Sequence, residues 1–140
     1  MKKSYIIVAL LALVMVFTQA CKKKSNDNPT PTPSISNPEL LKAWKVSKVL
    51  EGTLDVTAEF SSYRLTLADD GTAKTFTVID RQGTTTTGTW VISSDKTTIT
   101  LTATGGTRTF TSVSFTATEL KYSSDEDGKA GKVTLAFTLV

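Results

Sequence analysis

The sequence predicts an all-β domain, an eight-stranded antiparallel up-and-down barrel with a short N-terminal helical turn, and three observations carry that reading. In GTTTTGTWVISSDKTTITL (83–101), Trp90 and Ile92 share one face of a first arm, and Ile99 and Leu101 share one face of a second. Thr89, Thr98 and Thr100 lie opposite, so period-two alternation is sustained through the turn Ser93-Ser94-Asp95-Lys96. The same pattern recurs through most of the chain after residue 40. The connections are short, and no helical stretch is long enough for a parallel crossover, so neighbouring strands pair antiparallel. Eight such strands can close on themselves, which removes the edges that threonine-rich strands would otherwise expose.

The segments before the barrel are an address and a tether. Met1-Lys2-Lys3 is a positive n-region, and Tyr5 to Phe17 is an apolar run of 13 residues. A spanning helix would need about 20 apolar residues, and Lys22, Lys23 and Lys24 follow almost at once. Residues 1–20 therefore read as a secretory signal. Cys21, the single cysteine of the chain, directly follows a small residue and resembles the lipobox cysteine of bacterial lipoproteins. That resemblance implies acylation of its thiol, removal of the preceding peptide and acylation of the new amino terminus. Thr18-x-Ala20 also fits ordinary secretory cleavage, which would leave a soluble exported protein with a free thiol. Several acyl chains on one residue give stable attachment, to which the three lysines add attraction for anionic headgroups. Residues 21–36 then hold all four prolines except Pro38 among small polar residues, a composition that cannot bury enough surface to order itself.

The folded domain occupies residues 37–140, about 100 residues and enough for one small core. Asn37 is positioned to cap a helical turn, with Pro38 at its first position and Glu39 complementing its dipole. The first strand spans about Trp44 to Leu50, with Trp44, Val46 and Leu50 inward; Lys48 breaks the alternation and marks a bulge or an edge. Glu51 to Ser61 loses the period while carrying Leu54, Val56 and Phe60, as expected of a lid over one end of the barrel.

Strands at Tyr63 to Ala68 and Ala73 to Ile79 flank the turn Asp69-Asp70-Gly71, and Asp80-Arg81-Gln82-Gly83 leads into the central hairpin. After Gly105-Gly106 comes a strand from Thr107 to Thr118. Phe110 sits on even positions there, whereas Val113, Phe115 and Ala117 sit on odd ones, which predicts a bulge near Thr111-Ser112. Leu120 and Tyr122 belong to the next strand, Asp125-Glu126-Asp127-Gly128 reads as an acidic turn, and Lys132 to Val140 is the last strand, with Val133, Leu135, Phe137 and Leu139 inward.

Composition narrows the chemistry further. Five of the 16 basic residues and one of the 13 acidic ones lie before residue 37. The domain keeps 11 basic and 12 acidic side chains and is close to −1 although the whole chain carries +3. No basic stripe remains for nucleic acid. Without histidine, no Ser-His or Cys-His arrangement exists, the usual metal ligands are missing, and no Gly-x-Ser-x-Gly elbow is present. Asp69 with Asp70, and Asp125 with Asp127, are the carboxylate pairs, both assigned to tight turns. Asp125 to Gly128 matches only a fragment of a calcium loop. The expectation is a protein that is not an enzyme and has no cofactor and no metal.

A short helical turn, Leu41-Lys42-Ala43-Trp44-Lys45-Val46, eight strands and a second Gly88-Thr89-Trp90 together resemble the small lipocalin-like domains of Gram-negative lipoproteins. Lipocalins mark the first strand with Gly-x-Trp, whose tryptophan closes the barrel floor. Trp44 takes that place here, with Lys42 where the family has glycine. The family also packs an arginine from near the last strand over this tryptophan, and here that strand offers only Lys132.

The resemblance implies a pocket for a small hydrophobic or amphipathic ligand, and Trp44, Phe60, Tyr63, Phe76, Trp90, Phe110 and Tyr122 are the candidate lining residues. The pocket is expected to lie under the Leu54 to Phe60 lid and to be edged by Tyr63 and Tyr122. Arg64, Arg81 and Arg108 are candidates to orient a carboxylate at its rim. The alternative is a non-catalytic interaction module that binds an envelope protein or glycan through its outer face or loops. The expected location is the cell envelope, anchored by lipid in the outer membrane and facing the periplasm.

Overall fold

The computed structural model describes residues 35–128 and 131–140. The signal segment, Cys21 and residues 22–34 of the tether lie outside the described residues. Among the described residues nine strands form one sheet: β1 (Ala43–Glu51), β2 (Leu54–Asp55), β3 (Arg64–Asp69), β4 (Lys74–Ile79), β5 (Thr85–Ile92), β6 (Ile99–Ala103), β7 (Gly106–Phe115), β8 (Leu120–Gly128) and β9 (Gly131–Leu139). The two-residue β2 only extends the end of β1. The other eight follow one another antiparallel, and pairing of β1 with β9 closes the barrel. Short 3-10 turns at Pro38–Leu40 and Thr57–Phe60 are the helical elements among the described residues.

Closure is shared along β1. Ala43, Trp44 and Lys45 pair with β3, and from Val46 onward the strand pairs with β9. The register shifts between Val46 and Lys48, the irregularity that Lys48 signalled. The shift rotates the strand, so Val49 is buried and Leu50 is only half-buried. This corrects the inward placement of Leu50, because a bulge inserts one residue and moves all that follow to the other face. Beside the second half of β1, the segment 54–60 stands in for β3: Val56 N donates to Val49 O at 3.0 Å, and Val49 N donates to Thr57 Oγ1 at 2.9 Å.

The bulge near Thr111-Ser112 is present. The β7–β8 register shifts between Thr111 and Ser114, and Ser112 takes φ 53°. The freed Val113 N donates to Thr97 O in the β5–β6 turn at 2.9 Å, which ties the bulge down.

Two further expectations are corrected. Asn37 does not cap with its side chain: it takes φ 55°, and its carbonyl accepts from Leu40 N at 3.0 Å. Asp125 to Asp127 is not a turn, because β8 continues through it, with Asp125 opposite Thr134, Glu126 opposite Val133 and Asp127 opposite Lys132. Each acidic side chain has a local reason to tolerate a strand. Thr134 Oγ1 donates to Asp125 Oδ1 at 2.7 Å, Lys132 stands across from Asp127, and Glu126 turns inward to Arg108.

The interior is plugged where the chain enters. Leu40 and Trp44 are fully buried, and Trp44 Nε1 donates to Leu40 O at 3.0 Å. Trp90 closes the same end, with Nε1 donating to Ala68 O at 3.0 Å. Above them an aromatic layer fills one side. Phe110 stacks on Tyr122 at 4.0 Å, Tyr122 on Phe137 at 5.0 Å, and Phe60 meets Phe137 edge-on at 5.3 Å. Each such ring removes roughly 150–250 Å² from water, so this layer dominates core energetics.

Candidate functional site

The end opposite the plug is open because inward positions there differ in size from one side to the other. Phe60, Tyr63, Tyr122 and Phe137 crowd the side built by β3, β8 and β9, all 2 % exposed. On β5, β6 and β7 the corresponding inward residues are Thr86, Gly88, Ala103 and Gly106, which are small. Alternation therefore leaves a cleft of about 460 Å³, within the few hundred cubic ångströms typical of small-ligand sites. Its floor is Phe76, Val78, Leu101 and Ala103, and Asp80, Arg108 and Asp127 stand at its polar side. A smaller cleft of about 200 Å³ adjoins it through those same three residues and is lined also by Phe60, Tyr63, Arg81 and Glu126.

The polar groups are organised around one ion pair. Arg108 and Glu126 both point inward, with Nη1 3.2 Å from Oε1 and Nη2 donating to Oε2 at 3.3 Å. Burial pushes the Glu126 carboxyl up, and the positive charges of Arg108 and Arg81 only partly offset this. Beneath the pair, the Tyr63 and Tyr122 hydroxyls share a hydrogen bond at 2.8 Å. Burial pushes Tyr63 up to about 12 and Tyr122 well above its ordinary value, so both phenols stay neutral.

Arg81 fastens the segment at the mouth. Its Nη2 donates to Asp127 O at 3.0 Å, Nη1 lies 3.8 Å from Glu59 Oε2, and the guanidinium covers the Phe60 ring at 5.6 Å. Of the expected lid residues, Phe60 drops into the barrel, Val56 is half-buried and Leu54 is 62 % exposed.

The seven candidate ligand residues thus separate. Phe76 lines the larger cleft, and Phe60 and Tyr63 the smaller one. Phe110 and Tyr122 lie in the aromatic layer beneath, and Trp44 and Trp90 at the plugged end. Arg64 is spent on backbone, donating to Ser61 O at 2.9 Å and Tyr63 O at 2.7 Å. Val78, Leu101, Ala103 and Glu126 were not among the candidates. The parity of Glu126 with Leu120, Tyr122 and Ser124 was the available signal, masked by reading the acidic run as a turn.

The chain is thus a small up-and-down barrel shaped like a cup, plugged beneath a tryptophan at one end and open over an apolar cleft at the other. The lipocalin-like domain family matches residues 40–122, and the chain belongs to that family. A comparison with curated proteins returned no match. Within the family pattern the cation over the floor tryptophan comes from a different place. Lys42 Nζ lies 4.4 Å from the centroid of the Trp44 ring and donates to Ala117 O. Lys132 stands near the start of β9 opposite Asp127, at the mouth, and is too far along the strand to fill that role.

Proposed function

We propose that this chain is a lipid-anchored, non-catalytic envelope lipoprotein whose lipocalin-like barrel binds a small hydrophobic or amphipathic molecule in its mouth. The single observation behind the binding reading is the cleft of about 460 Å³, with an apolar floor and charged groups on one side. Anchoring rests on the signal segment and on Cys21, which is acylated in this reading and held in the outer membrane facing the periplasm. The tether joins the barrel at its plugged end, beside Leu40, so the mouth lies at the end opposite the point of attachment. The alternative of an envelope protein or glycan partner has less support, because no aromatic residue among the described residues is exposed.

Two measurements test this. Cys21→Ala should move the protein from the membrane to the soluble exported fraction, and continued membrane residence of the variant would refute the anchor. The apolar fluorophore N-phenyl-1-naphthylamine should bind with a blue shift that Ala103→Trp abolishes by filling the cleft. Binding that is undiminished in Ala103→Trp, or no binding by the unaltered barrel, would refute the mouth as the site.

A further inference from the structure

Two ion pairs take inward positions among the described residues: Lys74 with Asp69 at the plugged end, where Lys74 also covers the Trp90 ring, and Arg108 with Glu126 at the mouth, where neighbouring inward side chains are apolar or hydroxyl-bearing. Such a pair is a poor device for stability, since apolar residues of similar volume commonly do as well or better. Its position supplies another reason. Arg108 lines both clefts whereas Glu126 lines only the smaller one, so the guanidinium stands between its carboxylate partner and the apolar cleft. Glu126 takes one N–H from each of Nη1 and Nη2 and the Tyr63 hydroxyl is a further partner of the guanidinium, so a five-donor group keeps N–H capacity for a second acceptor.

The geometry points to a ligand with a carboxylate head: an amphiphile that lays its chain over Phe76, Val78 and Leu101 and sets its head on Arg108 beside Glu126, with one proton taken from solvent by the Glu126 carboxyl. This deepens the ligand-binding reading of the mouth and rests on it. Two carboxylates on one guanidinium cannot both stay charged at low cost, and Glu126 is the one already biased toward its neutral form by burial.

The groups around Glu126 leave that bias in place. Arg108 on β7 and Arg81 in the β4–β5 turn favour its charge, and Asp127 on its own strand opposes it. Tyr63 and Tyr122 stay neutral. Asp80 shares both clefts but is tied to its own turn, where Oδ1 accepts from Gln82 N at 2.9 Å and Thr84 N at 2.8 Å. Asp127 stands opposite Lys132. Neither is held ready for a cationic head as Arg108 is for an anionic one.

The test is calorimetric titration of the mature chain carrying Cys21→Ser, which keeps the tether and barrel without acyl chains. Decanoate, decanol and decylamine, each below its aggregation concentration, are compared near neutral pH in two buffers of different ionisation enthalpy. Decanoate should bind at least about tenfold tighter than decanol, the scale of one charge-assisted contact, with net proton uptake, and decylamine should be weakest. Arg108→Met should bring decanoate to the level of decanol, and Glu126→Gln should keep decanoate binding while abolishing proton uptake. The buffer comparison needs no variant.

Decanol or decylamine matching decanoate, or decanoate binding without proton uptake, would overturn the carboxylate assignment while leaving the mouth a binding site. If none of the three binds, the mouth reading itself fails.

Discussion

Gly88 on β5 is the position where a single methyl group should cost most. A Cβ built there would lie 2.0 Å from Thr102 O on β6 and 2.8 Å from Cε1 of Phe76. Ordinary contact begins near 3.4 Å, so a backbone carbonyl of the neighbouring strand would have to retreat by more than an ångström. The strain therefore falls on the ladder itself, next to the Thr89–Thr102 pair. Overpacking typically costs about 1–3 kcal/mol, and each weakened ladder bond adds about 1 kcal/mol. Against this, Gly→Ala removes about 0.4–1 kcal/mol of unfolded-chain entropy.

For Gly88→Ala the net expectation is a loss of about 1–4 kcal/mol, a large part of the roughly 5–15 kcal/mol that holds a domain together. In thermal terms the midpoint should fall by roughly 5–30 °C. The assay is urea unfolding followed by tryptophan emission, because Trp44 and Trp90 are 0 % and 1 % exposed and report loss of the core. Gly105→Ala is the control. No atom lies within 4 Å of its added Cβ, and its stability should stay within about 0.5 kcal/mol of the unaltered protein. If Gly88→Ala also stayed within that margin, the close coiling of β5 on β6 would be refuted.

Three further outcomes are expected. Tyr63→Phe and Tyr122→Phe should each cost about 1–3 kcal/mol by leaving one buried hydroxyl without its partner, while the double variant costs no more than either single one; additive losses in a double-mutant cycle would contradict this. Trp44→Ala should cost about 3–5 kcal/mol, as for other large-to-small core changes, and Lys42→Met about 0.5–1 kcal/mol through the lost ring contact, both read by denaturant midpoint. For pH, the raised Glu126 favours folding below the ordinary glutamate value and loses that contribution as pH rises through its folded value. Asp55, Asp70 and Asp95, held down chiefly by hydrogen bonds from Thr57, Ala73 and Ser93, favour folding above their ordinary value and lose that contribution as pH falls. Stability should peak in weak acid, and Glu126→Gln should flatten the decline on the alkaline side; an unchanged alkaline limb would show that Glu126 does not titrate there.

Much of the barrel is readable from alternation alone. Phe137 and Leu139 on β9, or Ile99 and Leu101 on β6, announce their buried face because a strand with one wet face must repeat every second residue. A change of phase between Phe110 and Val113 is equally local, and it located the β7 bulge. The charged residues were harder. Asp125-Glu126-Asp127-Gly128 has turn composition, yet it runs straight on as strand because Thr134, Lys132 and Arg108 answer its carboxylates one by one. Arg108 comes from β7, 18 residues before Glu126, and Thr134 and Lys132, although close in sequence, face the run only because β8 continues through it and pairs with β9.

Strand identity, strand order and the aromatic, threonine-rich alternation were therefore determined by the sequence itself, since each depends on neighbours one or two residues apart. Which end opens, how large the cleft is and which groups stand in it were decided only by the tertiary structure. A cavity is the difference between the circumference set by eight paired strands and the summed volume of inward side chains at one level. Trp44 and Leu40 fill one level, whereas Thr86, Gly88, Ala103 and Gly106 leave another partly empty. That difference has no value until β1 and β9 close the ring and bring Arg108 against Glu126.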